Sequence, residues 1–152
     1  MTKNELHDFF VKKQKDADAV SSGVDWDARK QEWQKATEDF YTIVSSFLQD
    51  LTTEGLVKIS YRSKEVTEQY LGTYPIREMV LSVGGEEVVF SPKGRNIVGA
   101  KGRIDLIGEM GEGTFVLFPE RWGVVISRRP SMKVVELTQE SFAEVLRNVM
   151  RK

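Results

Sequence analysis

Four basic residues stand close together in the second half of the chain, and no acidic residue interrupts them between Pro92 and Arg103. They are Lys93, Arg95, Lys101 and Arg103. Ammonium and guanidinium groups form strong charge-assisted hydrogen bonds with phosphates and carboxylates. Such a cluster could therefore bind nucleic acid, an anionic ligand or an acidic partner. The competing interpretation is a set of solvated residues at strand ends, where lysine deters sheet-to-sheet association. The sparse aromatic residues around the cluster favour that second interpretation over base stacking.

The glycines near this cluster resemble nucleotide-binding loops but fail at the chemically decisive positions. In the segment from Gly94 to Lys101, Ala100 separates the second glycine from the lysine. A phosphate-binding loop needs lysine directly after that glycine, then Ser or Thr and a helix, whereas a strand is predicted here. The glycines at 108, 111 and 113 also have the wrong order for a dinucleotide-binding turn. Both groups are better interpreted as connections between strands.

Acid–base and metal chemistry receive little support from the sequence. Asp105, between Ile104 and Leu106, is the carboxylate that a small hydrolase or transferase would use. The single histidine, His7, lies in a short N-terminal helix and has no evident nucleophile as a partner. There is no cysteine, which excludes thiolate nucleophiles and cysteine-based metal sites. No metal and no cofactor is predicted.

An aromatic stripe identifies the strongest helix of the sequence. Aromatic residues recur every seven positions, at Trp26, Trp33, Phe40 and Phe47. They predict one helix over about residues 25–54, roughly 40 Å long at 1.5 Å per residue. Because this is long for a small domain, we expect either a kink or an overhang that leaves Trp26 and Trp33 for an interface. Packing by Phe9 and Phe10 of the first helix is the intramolecular alternative.

Beyond Gly55 the apolar period changes from helical to two, which is typical of strands. We expect a twisted antiparallel sheet of about six strands, with a tight hairpin at Gly84-Gly85 and one strand around Ile97-Val98. Residues 66–71 fit either a second strand or a helical turn. Thr138 is placed to cap a C-terminal helix.

This order of elements predicts one α+β domain over residues 1–152, with helices in 1–55, the sheet in 56–137 and a helix in 138–152 packed on the sheet. A length of 152 residues fits one domain. A net charge of −1 gives no overall attraction to nucleic acid or to an anionic membrane. With no long apolar run, we expect a cytoplasmic protein without a membrane partner.

Taken together, these patterns favour a non-catalytic binding protein that recognises another protein, with a homodimer as a further option. The first alternative is nucleic-acid or anionic-ligand binding through the basic residues 93, 95, 101 and 103. The second alternative is a small hydrolase or transferase that uses Asp105.

Overall fold

The computed structural model describes residues 3–22, 26–68, 71–94, 101–119, 121–127 and 130–151. Arg95 and the strand predicted around Ile97 and Val98 lie outside these ranges. The architecture is mixed α+β, as the sequence predicts, with N-terminal helices, an antiparallel sheet that is not closed, and a C-terminal helix packed on the sheet. None of the helices in the described ranges combines the length and the apolar character needed to cross a bilayer.

The described residues contain four helices: α1 (Lys3–Ser22), α2 (Trp26–Phe47), α3 (Gln49–Thr53) and α4 (Gln139–Val149). The predicted long helix is therefore divided into α2 and the single turn of α3. The break falls at Leu48, whose N–H is shared between the carbonyls of Val44 (3.1 Å) and Ser45 (3.2 Å). Such sharing tightens the last turn of a helix, so α2 ends at this point. Of the two predicted alternatives, the structure shows a break in the helix and not one unbroken helix over residues 25–54.

The sheet has seven strands in chain order, one more than the approximate prediction. They are β1 (Lys58–Glu68), β2 (Gly72–Val83), β3 (Glu86–Gly94), β4 (Gly102–Gly108), β5 (Gly111–Leu117), β6 (Trp122–Ser127) and β7 (Lys133–Glu136). Every neighbouring pair is antiparallel, so the sheet is a meander. The predicted hairpin at Gly84-Gly85 is confirmed, and both glycines have positive φ.

The ambiguous segment 66–71 is neither a separate strand nor a helical turn in its described part. Val66 continues β1, which pairs in register with β2 over its whole length from Lys58↔Ser82 to Glu68↔Gly72. The apolar alternation is weak there because several outward residues of β1 are polar and exposed. β1 consequently becomes an eleven-residue strand at the edge of the sheet.

One face of the sheet, here called the covered face, carries the core. Phe40 of α2 is fully buried and contacts Phe90, Phe115 and Trp122, with ring centroids 5.9, 5.0 and 4.8 Å away. Phe142 of α4 lies against the rings of Phe90 and Phe115 on the same face. Aromatic rings bury large apolar areas and add favourable edge and tilted contacts, so this cluster joins both helices to the sheet.

Glycines at both ends of β4 allow the two helices to approach the covered face. A Cβ at Gly102 would lie 2.3 Å from the ring of Trp33 on α2. A Cβ at Gly108 would lie 2.2 Å from the backbone carbonyl oxygen of Val149, at the end of α4. No side chain fits at such distances, so β4 requires glycine wherever a helix crosses closely.

Thr138 caps α4 as the sequence predicts. Its hydroxyl accepts a hydrogen bond from the N–H of Ser141 (3.1 Å), and the Ser141 hydroxyl accepts one from the N–H of Thr138 (2.9 Å). This reciprocal pair satisfies two backbone donors that the helix itself leaves unpaired. The start of α4 is thereby fixed beside the end of β7.

Candidate functional site: a polar row on the outer face of the sheet

The face of the sheet opposite the helices, here called the outer face, is built from the strand residues that alternate with the core. Met79, Phe90, Leu106 and Phe115 are fully buried on the covered face. Their chain neighbours are polar: Glu78, Ser91, Asp105 and Thr114. Because successive side chains of a strand point to opposite faces, these four residues lie together on the outer face.

Strand pairing aligns these residues into one row across five strands. Arg62 of β1 is paired with Glu78 of β2, Ser91 of β3 with Asp105 of β4, and Asp105 with Thr114 of β5. Lys64 of β1 joins the two halves, because its Nζ lies 3.7 Å from Glu78 and donates a hydrogen bond to the Ser91 hydroxyl at 2.6 Å. The polar row is therefore Arg62, Glu78, Ser91, Asp105 and Thr114.

Glu78 is the centre of the first half of the row. Its side chain is 12% exposed and accepts a hydrogen bond from Nε of Arg62 at 2.7 Å. Nζ of Lys64 lies 3.7 Å from the other oxygen and donates to the Ser91 hydroxyl at 2.6 Å. Burial opposes ionisation of Glu78, but the hydrogen bonds from Ser91 and Arg62 and the charge of Lys64 outweigh it and lower the pKa. Glu78 is thus a stable anion at neutral pH.

For Lys64, burial has a larger effect than the ion pair, so its pKa is lowered towards the neutral form. Burial lowers its pKa, the attraction of Glu78 opposes that change, and the positive charge of Lys93 lowers it further. The repulsion shows that Lys93 lies within electrostatic reach of Lys64, on the outer face side of β3. Lys64 and Lys93 therefore place two positive charges beside the polar row.

Asp105 is the centre of the second half of the row. Its side chain is 11% exposed, and Oδ1 lies 3.1 Å from Nε of Arg103. The hydroxyl of Thr114 donates to the same oxygen at 3.4 Å. The carboxylate is therefore held by a guanidinium group and a hydroxyl group.

The structure brings together three of the four predicted basic residues. Gly94 of β3 pairs with Arg103 of β4 across a register shift, so Lys93 lies on the strand beside Arg103. Lys101 precedes β4, and its N–H donates to the carbonyl of Leu117 at 2.6 Å. Arg103 is occupied by Asp105, whereas Lys93 and Lys101 are exposed and form no ion pair within the described ranges. Arg95 lies outside the described residues.

The two predicted interface tryptophans have different positions. Trp33 is only 2% exposed, and its ring lies 6.1 Å from that of Trp122. That burial assigns Trp33 to the core, because the helix crosses the sheet at this point and does not overhang it. Trp26 is half-buried against the edge of the core, with Arg29 stacked 5.4 Å from its ring. An interface role for Trp26 stays a prediction.

Sequence reasoning missed Lys64, Glu78 and Ser91. Their partners are separated by 14 to 27 positions along the chain, as in Lys64–Glu78 and Lys64–Ser91. The available signal for Glu78 and Ser91 was the alternation itself, since each is adjacent to a buried apolar residue, whereas Lys64 lies between two exposed polar residues. Among the described residues, no cluster of three or more acidic or histidine side chains forms that could hold a metal ion.

Comparisons of the chain with protein-family models, with curated proteins and with solved structures found no match. The polar row and the lysines beside it therefore carry the functional argument.

Proposed function

We propose that this is a non-catalytic binding protein that recognises an acidic surface of another protein through the outer face of its sheet. The observation that carries the proposal is the pair of lysines without an ion-pair partner. Glu78 and Asp105 are already paired with Lys64 and Arg103, whereas exposed Lys93 and Lys101 form no ion pair in the described part of the chain. Cations that lack an internal partner favour an anionic surface and speed its encounter.

The paired state of the carboxylates argues against the enzymatic alternative. A general acid or base works best with a pKa near the operating pH. The pKa of Glu78 is lowered, which moves it away from that range. Asp105 is engaged by Arg103 and Thr114. The polar row resembles a structural ion-pair network more than a reaction centre.

The nucleic-acid alternative lacks stacking groups near the lysines. Phe9, Phe10 and Tyr61 are the aromatic side chains that are largely exposed among the described residues. The two phenylalanines belong to α1, and Tyr61 lies on the covered-face side of β1 against the ring of Tyr41. Single-stranded nucleic acid usually stacks its bases on aromatic groups beside a basic groove. An acidic protein surface needs no such platform.

Carbodiimide cross-linking tests the proposal directly, because it joins a lysine to a carboxylate only when the two are in contact. The full chain would be cross-linked in lysate of the cells that produce it, and mass spectrometry would identify the linked peptides. We expect Lys93 and Lys101 to be joined to acidic residues of a foreign protein. The internal controls are two exposed lysines from other elements, Lys35 of α2 and Lys133 of β7.

The identified partner would then be purified and titrated against two double variants with the same change in charge. Lys93→Glu/Lys101→Glu should weaken binding at least about tenfold, since each lost pair of close charges contributes on the order of 1 kcal/mol or more. Lys35→Glu/Lys133→Glu should bind almost as wild type does. Equal affinity for both variants would overturn the proposal. A second pair of results would also overturn it: the chain binds a single-stranded oligonucleotide in a salt-sensitive way, and no foreign protein is cross-linked to Lys93 or Lys101.

A further inference from the structure

The outer edge of β1 is a long, unpaired strand edge next to the outer face. All eleven residues of β1 pair with β2 on one side. On the other side, none of the described backbone hydrogen bonds outside the helices and ladders involves residues 58–68. The opposite edge of the sheet, β7, has only four residues. β1 therefore offers the larger template for pairing with another strand.

Side chains of β1 give the two sides of this edge different chemistry. Lys58, Arg62 and Lys64 alternate on the side of the outer face, with Arg62 58% exposed. Tyr61 and Ser63 point to the side of the helices, where the guanidinium of Arg77 lies 4.1 Å from the Tyr61 ring. A strand added to this edge would meet three cations on the outer side, at Lys58, Arg62 and Lys64, and a mostly uncharged surface on the side of the helices.

A small cavity adjoins the same edge on the side of the helices. It has a volume of about 230 Å³ and is lined by Gln34, Glu38, Ser63, Pro75, Ile76 and Arg77. The two charged groups in its wall are paired with each other, since Arg77 donates to Glu38. The cavity therefore suits an uncharged side chain, and it begins at Ser63, in the middle of β1.

We propose that an extended acidic segment of the partner protein adds to β1 as an eighth strand. This inference rests on the proposed function and specifies its mode of recognition. Backbone hydrogen bonds along the edge supply affinity, and alternate side chains supply selectivity. Acidic residues at every second position face Lys58, Arg62 and Lys64, and an apolar residue between them enters the cavity at Ser63.

Charge favours this segment over a second copy of β1. Two copies of β1 paired antiparallel about Ser63 place Arg62 opposite Lys64 of the other copy, and the attraction between Lys58 and Glu68 at the ends only offsets that repulsion. Pairing centred on Arg62 or Lys64 places that residue opposite itself, and like charges directly opposite each other destabilise a strand pair. Pairing centred on Val66 avoids the repulsion but joins only residues 64–68. An acidic strand attracts Lys58, Arg62 and Lys64 in a register that spans β1.

Absence of native cysteine makes a disulfide-trapping experiment specific. The probe is a ten-residue peptide of alternating Glu and Val with one cysteine at its centre. It would be offered, in a buffer of reduced and oxidised glutathione that supplies the oxidant, to Ser63→Cys, and to Val135→Cys on β7 as the matched control. Both replaced residues are exposed, so neither change removes a core contact. We expect a mixed disulfide on Ser63→Cys to form at least about tenfold faster, because pairing raises the effective concentration of the thiol.

Hydrogen exchange of the wild-type chain gives the second readout. The cysteine-free peptide should slow exchange of amides in residues 58–68, and a peptide with Lys in place of Glu should not. Equal trapping at the two positions, or unchanged exchange in 58–68, overturns strand addition. Disulfide dimers of Ser63→Cys that form faster than the peptide adduct also overturn it, in favour of self-pairing.

Failure of strand addition can be separated from failure of the proposed function. If the cross-linked partner loses affinity for Lys93→Glu/Lys101→Glu but does not slow exchange in β1, the outer face binds a protein without adding a strand. If the partner binds that double variant with the same affinity as the wild type, the proposed function itself fails.

Discussion

The two faces of this sheet are built from alternating residues of the same strands, yet they are held by different interactions. On the covered face, Phe90 and Phe115 pack against Phe40 with no exposure. On the outer face, Ser91 and Thr114, their direct neighbours, belong to a row of hydrogen bonds and ion pairs. Residues of the covered face thus stabilise the fold through apolar burial, whereas those of the polar row are held by polar contacts.

The two faces contribute differently to the free energy of unfolding, because water interacts differently with apolar and charged groups. Apolar burial stabilises in proportion to the area removed from water. Partly exposed ion pairs gain little, because desolvation and side-chain entropy offset the attraction. We therefore expect substitutions on the covered face to change stability and those on the outer face to change binding.

The largest loss of stability is expected for Phe40→Ala, at the centre of the covered face. Removing a fully buried aromatic ring leaves a cavity and should lower the free energy of unfolding by about 3–5 kcal/mol. Urea denaturation followed by far-UV circular dichroism measures it. Phe9→Ala on α1, where the ring is 45% exposed, is the control and should cause a much smaller loss. Similar losses for both would contradict the assignment of the core.

A smaller loss is expected for Gly108→Ala, where α4 crosses β4. The added methyl group would meet the carbonyl of Val149 at 2.2 Å, and backbone atoms cannot move aside without displacing the helix. We expect a loss of about 1–3 kcal/mol from overpacking. Faster exchange of the α4 amides should accompany it. Ser60→Ala, at an exposed position of β1, is the control. An unchanged α4 would show that the helix does not depend on this close contact.

On the outer face, Glu78→Gln should produce a loss of about 1 kcal/mol at pH 7. The pKa of Glu78 is lower in the folded chain than the unfolded value of about 4.3. Its stabilisation is therefore complete above that unfolded value and is lost as the pH falls through the folded one. Denaturation midpoints from pH 7 to pH 2 should show wild type and Glu78→Gln converging in acid. Glu65→Gln, at an exposed position of β1, is the control. A constant difference across that pH range would contradict the ion-pair assignment.

The smallest effect on stability is expected for Lys93→Glu/Lys101→Glu. Both side chains are exposed and form no ion pair in the described ranges, so each change should alter the free energy of unfolding by no more than about 0.5 kcal/mol. Thermal denaturation measures this, and Lys35→Glu/Lys133→Glu is again the control. A large destabilisation would mean that these lysines stabilise the fold, which would contradict a role in binding alone.

The periodicity of apolar residues and the helix cap at Thr138 explain why much of the fold was predictable from sequence. The seven-residue spacing of aromatics located α2, the alternation of residues located most strands, and Thr138 correctly marked the start of α4. These features depend on neighbours a few positions apart. The break at Leu48 was not predictable, because it depends on how α2 meets the sheet.

Candidate site residues were predictable only in part. The sequence selected Lys93, Arg95, Lys101 and Arg103 as a local charge cluster, and it selected Asp105 as a separate carboxylate. It did not indicate that Arg103 and Asp105 form an ion pair. Nor did it connect Asp105 with Glu78, Ser91 and Lys64, whose strands become neighbours only through sheet register.

By itself, the sequence determined the class of the fold, the order of its elements and the residues able to alternate between two faces, because local periodicity dictates these properties. The tertiary structure decided which face the helices cover, that Trp33 belongs to the core, and that five polar residues from distant segments form one row. Register and helix packing depend on contacts between residues far apart in the chain. A linear pattern does not specify those contacts, and here they decide which polar residues meet on one face of the sheet.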